Sequence, residues 1–269
     1  MKRVAILSSI LALTLMSGFV YATELYPAFS AANQNKWFVE LDGGYRFGTT
    51  TTSPDQISKV NSGQPAPDLY IPTGVGGSGV VDFSFGYRFY TGDSIWFPYD
   101  DVDVRYQYAG PATTDGKVEL SSQNYLDNYN YTYNLTQQTI LLIDKLALVR
   151  IGAFVPYIQG GIGPGLNQVS AYAETVGICE NGDPCQERLG PGFAANNYIG
   201  FSYMFGAGVD VILSPAWTLS VGYEYDSPSN VQTGNGTEAG YTEESLTNTV
   251  KNNEVMVGFK YLFGIKSFN

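Results

Sequence analysis

The chain has 269 residues, with 21 Tyr, 15 Phe and 31 Gly but no His, and its 25 acidic against 14 basic residues give a formal charge of −11. An acidic chain is a poor partner for nucleic acid, and a chain without His that holds only two Cys offers little to a metal centre, so no cofactor is expected. A length of this order suits a single all-β domain as well as it suits two smaller ones.

The amino terminus places Lys2 and Arg3 before an apolar run from Val4 to Met16, followed by Val20-Tyr21-Ala22. This is the pattern of a secretory signal peptide cleaved after Ala22. The run is too short for a membrane helix, which needs about 20 apolar residues. Residues 23–269 would then form the exported domain, with 12 basic and 25 acidic residues and a formal charge of −13.

From there the sequence alternates with the two-residue period of β-strands. The first segment, 36–47, sets Trp37, Val39, Leu41, Tyr45 and Phe47 against Glu40, Asp42, Gly44 and Arg46. The second, 79–90, sets Val81, Phe83, Phe85, Tyr87 and Phe89 against Asp82, Ser84, Gly86 and Arg88. In the third, 99–108, Val102, Val104, Tyr106 and Tyr108 oppose Asp101, Asp103, Arg105 and Gln107. The fourth (133–143) and fifth (155–167) are less regular, the one merging into an apolar run and the other carrying Pro164 among glycines. The sixth (202–213) and seventh (217–226) put Asp210 and Glu224 on their polar faces. The eighth, VMVGFKYLF at 255–263, follows Glu254 and opposes Lys260 to Val255, Val257, Phe259, Tyr261 and Phe263.

Links between these segments alternate in length. Long polar stretches at 48–78, 109–132, 168–201 and 227–253 alternate with short turns such as Ser214-Pro215-Ala216. Short turns at one end and long loops at the other describe an eight-stranded antiparallel up-and-down transmembrane β-barrel with four long extracellular loops. Face direction follows from volume. The interior of an eight-stranded barrel is only wide enough for side chains to fill it, so the aromatic faces must point outward to lipid. The charges then point inward, where Glu40, Asp42, Arg46, Asp82, Arg88, Asp101, Asp103, Arg105, Asp210, Glu224, Glu254 and Lys260 supply both signs for mutual pairing.

The segments PYIQGGIGPGLN (156–167), SYMFGAGVDVILSPAWTLSVGYEYD (202–226) and the closing VGFKYLF resemble the small outer-membrane β-barrel superfamily, which includes the OmpA transmembrane domain, the opacity proteins and porin-like relatives. The resemblance implies a location in the outer membrane, contact with its lipid and lipopolysaccharide, and insertion by the barrel assembly machinery. That machinery reads an aromatic final strand, here Phe259, Tyr261 and Phe263, with Phe268 as a second candidate terminus. Barrel lipases, palmitoyl transferases and proteases depend on a histidine, so no enzyme is expected. The acidic cluster Asp100, Asp101 and Asp103 is read as structural rather than catalytic. Three roles remain open: a structural or adhesin-like barrel whose loops meet a host-surface or phage ligand, a narrow porin-like channel for small solutes, and an OmpW-like conduit for apolar compounds.

Cys179 and Cys185 lie in the third long stretch of an exported chain and are expected to form a local disulfide. The closed loop is short, so its loss should cost about 2 kcal/mol of local stability and leave the barrel intact. Intact-mass measurement of the mature protein should show a chain beginning at Thr23 with no free thiol; two free thiols would remove the bridge.

Overall fold

The computed structural model describes residues 36–50, 55–57, 67–91, 94–120, 127–177, 192–238 and 241–264. The expected signal peptide, Cys179, Cys185 and Phe268 lie outside them. In chain order the strands are β1 (Lys36–Thr50), β2 (Asp55–Ile57), β3 (Asp68–Val75), β4 (Ser78–Tyr90), β5 (Tyr99–Glu119), β6 (Asp127–Ala147) and β7 (Phe154–Val176). They continue with β8 (Asn196–Ile212), β9 (Trp217–Ser227), β10 (Asn230–Gln232), β11 (Gly236–Glu238), β12 (Tyr241–Glu243) and β13 (Thr247–Phe263).

Eight of these strands form a closed antiparallel ring. It runs β1, β4, β5, β6, β7, β8, β9, β13 and back to β1, where Trp37 opposes Phe263 and Arg46 opposes Glu254. The register sets the barrel's shape. One row of partners starts at Trp37 and runs through Tyr87, Val102, Asp144, Gly160, Phe205, Tyr225 and Asn253. It returns to β1 at Phe47, a climb of 47 − 37 = 10 residues. With normal strand spacing and rise this stagger tilts the strands by about 40° and leaves a bore that side chains can fill.

Along the membrane-spanning part the outer face is apolar, with Leu41, Phe83, Phe85, Val104, Ile140, Ile162, Phe205, Val257 and Phe259 all exposed. The alternate positions are buried polar residues, among them Asp82, Ser84, Arg105, Gln107 and Thr139. Such a surface is stable only where lipid replaces water. Inside, Gly208 and Gly222 face each other across β8 and β9, and the ring of Tyr157 occupies the space their missing side chains leave.

Two expectations need correction. First, the apolar face of the third segment carries a charge after all: Asp100 points outward at the short-turn end, beside the exposed Asp144 of β6. The residues nearest a strand end lie at headgroup level, where a lipid-facing carboxylate costs far less than at the midplane. Second, the long polar stretches are not only loops. β5 and β6 are 21 residues long and β7 is 23, whereas a tilted strand crosses the membrane in about 9 to 11. These three strands therefore rise well above the bilayer, and β3 joins them by pairing with the upper half of β5.

The inward face changes character above the membrane. On β6 the inward positions run Tyr129, Tyr131, Tyr133 and Leu135, then Gln137 and Thr139 within the membrane. The tyrosines join Ile57, Tyr70, Val118, Val169, Phe193, Val231, Leu246 and Val250 in one buried cluster. Their neighbours Asn130, Thr132 and Asn134 face outward. With water outside instead of lipid, the barrel extension follows the ordinary soluble pattern of polar outside and apolar inside.

Replacing Phe85 by Arg should weaken insertion by roughly 2 to 4 kcal/mol, the cost of a basic side chain on the lipid face near the midplane. Phe85→Arg should lose the heat-modifiable band on a detergent gel, while Ser84→Arg should reach the membrane with an altered interior. The reverse pattern would invert the face assignment.

Candidate functional site

Side chains project into the bore from alternate residues of all eight strands, so groups distant in sequence meet at one height. Near the short-turn end, Arg88 holds Asp101 through two parallel bonds, Nε to Oδ1 at 2.6 Å and Nη2 to Oδ2 at 2.7 Å. Lys260 donates to the same Asp101 and lies 3.1 Å from Glu40. Across the bore Lys145 donates to Asp210 at 2.8 Å, and the Tyr99 hydroxyl donates to the other oxygen of Asp210 at 2.7 Å. Aromatic faces complete the cation sites: Arg88 lies 3.6 Å from the centre of Tyr99, Lys145 3.8 Å from Tyr157, and Lys260 4.1 Å from Phe38.

One layer higher, Arg105 contacts both oxygens of Glu224 at 2.9 and 3.1 Å, and Gln159 donates to Glu224 at 2.7 Å. Asp82 lies 3.7 Å from Arg105 and accepts from Gln107 at 3.3 Å. Above that, Arg46 donates to Glu254, Gln137 and Gln107 at 2.5, 2.7 and 2.7 Å, with Asp226 at 3.5 Å. Ionised pairs with this many donors and acceptors around them can exist in a water-poor interior.

All twelve charged residues singled out in the sequence lie in the bore and are buried. Ten of them join ion pairs or hydrogen bonds with one another or with neighbouring polar side chains. Asp42 and Asp103 do not enter these pairs: Asp42 Oδ2 and both Asp103 oxygens have no hydrogen-bond partner among the described residues. Participants that were not singled out include Lys145, Asp226, Tyr99, Gln137 and Gln159. Lys145 could have been found by counting every second residue from Gln137, although the intervening Leu141 and Ile143 are apolar and hide the parity. On β13, Phe259, Tyr261 and Phe263 face outward, and the ring of Tyr261 lies between Trp217 at 4.8 Å and Phe263 at 6.2 Å.

The long-loop end of the bore is occupied differently. Tyr70 contacts Tyr131 and Phe193 at ring distances of 5.7 and 5.6 Å, and Tyr172 meets Phe193 at 4.8 Å and Tyr131 at 6.0 Å. A bulge turns Tyr172 and Glu174 inward: the pairing with β6 slips between Thr132 and Asn134, and Ala171 has φ of 54°. Tyr172 then donates to Glu174 at 2.6 Å, and Tyr70 approaches the same oxygen at 3.4 Å. Burial raises the hydroxyls of Tyr131 and Tyr172 well above the ordinary tyrosine range, with Tyr133 adding to the first and Tyr70 and Glu174 to the second, so both stay protonated.

No family model and no curated protein matches the sequence. Solved structures do match its fold. OprG from Pseudomonas aeruginosa is 16% identical, over 87% of this chain and 99% of that one, with a TM-score of 0.50. Neisserial surface protein A is 12% identical over 84% and 97% of the two chains, with a TM-score of 0.42. The amino-terminal barrel of Pseudomonas aeruginosa OprF is 10% identical over 86% and 100%, with a TM-score of 0.35. The chain therefore has the eight-stranded fold of the small outer-membrane β-barrels. Its apolar outer band is that of a barrel embedded in lipid.

Lys260→Met should strand Asp101 and Glu40 without their shared cation, at a cost of about 3 to 5 kcal/mol. The urea midpoint of the heat-modifiable band should fall. Adding Glu40→Gln to that variant should restore part of the loss, and equal midpoints for all three proteins would mean the pairs carry no stability.

Proposed function

We propose that this chain is a closed outer-membrane barrel that works at the cell surface, through the sheet and loops it raises above the bilayer, and that it has no catalytic role. One observation carries this reading: the bore is occupied at two successive levels. The paired charges of Arg46, Arg88, Arg105, Lys145 and Lys260 occupy the membrane-spanning part. The rings of Tyr70, Tyr131, Tyr133, Tyr172 and Phe193 occupy the extension above it. A channel would need a wet path past both.

A rigid base beneath a recognition surface is what the second level supplies. β3, β5, β6 and β7 are held together above the membrane by a buried aromatic core, so the segments between them are carried on ordered strands. Surface ligands of a host cell or a phage are the partners this arrangement suits, because binding residues placed on a rigid scaffold lose less freedom on binding.

Planar-bilayer recording on the mature protein tests the reading. The wild type should give no stable conductance, and Arg46→Ala combined with Tyr131→Ala, which opens both levels, should give small ohmic steps. A steady wild-type current would favour the narrow channel instead.

A further inference from the structure

The outer wall of the barrel carries an open indentation among the described residues. A recess of about 800 Å³ lies against β5 to β8, lined by Val102, Leu142, Ile158, Gly160, Ile162 and Phe205, and by Asp144, which pairs across the sheet with Gly160. That volume falls within the roughly 300 to 1,000 Å³ typical of small-ligand sites. Its cause is local: Gly160 occupies an outward position between Ile158 and Ile162, and its partner across the sheet is Phe205. The missing side chain leaves backbone as the floor, with branched apolar side chains as walls. An indentation of this kind in a lipid-facing surface is shaped for hydrocarbon.

One side of the recess is charged, through Asp144 in its lining. Asp144 is exposed on the outer face of β6, and Asp100 stands diagonally across on β5, close enough for their carboxyls to hydrogen-bond. Both lie near the strand ends at the short-turn side, Asp100 next to Tyr99 and Asp144 three residues before Ala147. That is headgroup height in the periplasmic leaflet. Left to themselves the two carboxyls must share a proton or repel one another, and a cation carrying several donors can take that proton's place and bond both.

We propose that this recess binds one two-chain phospholipid of the periplasmic leaflet, with an acyl chain lying over Gly160 and a primary-ammonium headgroup paired with Asp100 and Asp144. An ammonium group brings three N–H donors to the two carboxyls, whereas a trimethylated choline headgroup brings charge and no donor. The site thus selects aminophospholipid from other lipids with the same chains. It is independent of whether the bore conducts.

The test uses the full mature protein reconstituted in bilayer discs holding equal amounts of phosphatidylethanolamine and phosphatidylcholine with identical chains, followed by native mass spectrometry of the released barrel. Wild type should retain the ethanolamine lipid over the choline lipid by roughly fivefold, the equivalent of about 1 kcal/mol for a partly exposed charge pair. Asp100→Asn with Asp144→Asn should keep bound lipid but lose the preference. Gly160→Leu should release both lipids, because its Cβ would meet Phe205 at an ordinary 3.6 Å and the longer side chain would fill the recess. The wild-type comparison needs no variant, so a misfolded one leaves it decisive. Equal retention of the two lipids by wild type would overturn the proposal. So would a lipid-free dimer that Gly160→Leu dissolves, which would assign the recess to a second copy of the chain.

Discussion

Everything in this molecule depends on the pairing of β13 with β1. Hydrocarbon offers no partner to a peptide group, so a sheet can cross a membrane only if its last strand bonds to its first. The unbroken register from Trp37↔Phe263 to Thr50↔Val250 closes the ring. Closure fixes the stagger at ten residues, and the stagger fixes the tilt and the bore. Only then do Arg46, from the first strand, and Glu254, from the last, stand opposite one another as neighbours. The charge network is a consequence of closure rather than its cause.

Inside that bore the chemistry is unbalanced. Nine buried carboxylates (Glu40, Asp42, Asp82, Asp101, Asp103, Asp210, Glu224, Asp226 and Glu254) face five buried cations (Arg46, Arg88, Arg105, Lys145 and Lys260). The five cations are therefore shared. Lys260 serves Glu40 and Asp101, Lys145 serves Asp210 and Glu40, and Arg46 serves Glu254 and Asp226. Because each cation touches carboxylates from different strands, loss of one would loosen several walls together. Glutamines supply the remaining donors: Gln107 and Gln159 each give their amide to a carboxylate while accepting from an arginine. An amide can do both at once, which neither a charge nor a hydroxyl does as well.

How much of this could be read from the sequence differs by environment. In the membrane the solvent outside is lipid, so the alternation Val81, Phe83, Phe85 against Asp82, Ser84 marks strand, face and direction at once, and the structure has that fold. Above the membrane the same β6 strand alternates Tyr129, Tyr131, Tyr133 with Asn130, Thr132, Asn134. The period was visible there, but the outward residues are Asn and Thr, which are also loop residues, and the segment reads as a loop. Local composition does not show that a polar face is wet on one side and packed on the other. Parity with Val102 and Val104 puts Asp100 on the lipid face, but the acidic run it shares with the inward Asp101 and Asp103 made it read as one of the interior cluster. Lys145 was hidden by Leu141 and Ile143, the inward apolar residues that pack against Met204. Which cation meets which carboxylate was out of reach, because that depends on the stagger of eight strands and no short segment records it.

The boundary between the two environments is built into the strands themselves. On β5 the pairing with β6 slips between Ala109 and Ala112, across Gly110-Pro111, just beyond the outward-facing Tyr108. The slip inserts one residue, so the inward set changes from Asp101, Asp103, Arg105, Gln107 to Ala112, Thr114, Gly116, Val118. β7 makes its own slip at Ala171, bringing Tyr172 inward in place of the sequence parity that carried Asn167 and Val169. β6, between them, runs without a change of parity and changes its inward chemistry by residue type alone. A bulge is a way to alter which residues face the bore while every strand keeps its neighbours. Two bulges flanking one regular strand let a charged, lipid-embedded barrel continue into an aromatic-cored, water-exposed one without opening the sheet. The same device explains why Gly116 lies beneath the ring of Tyr131: after the slip a small residue faces inward at that height, and the space it leaves is taken by the cluster that closes the outer end.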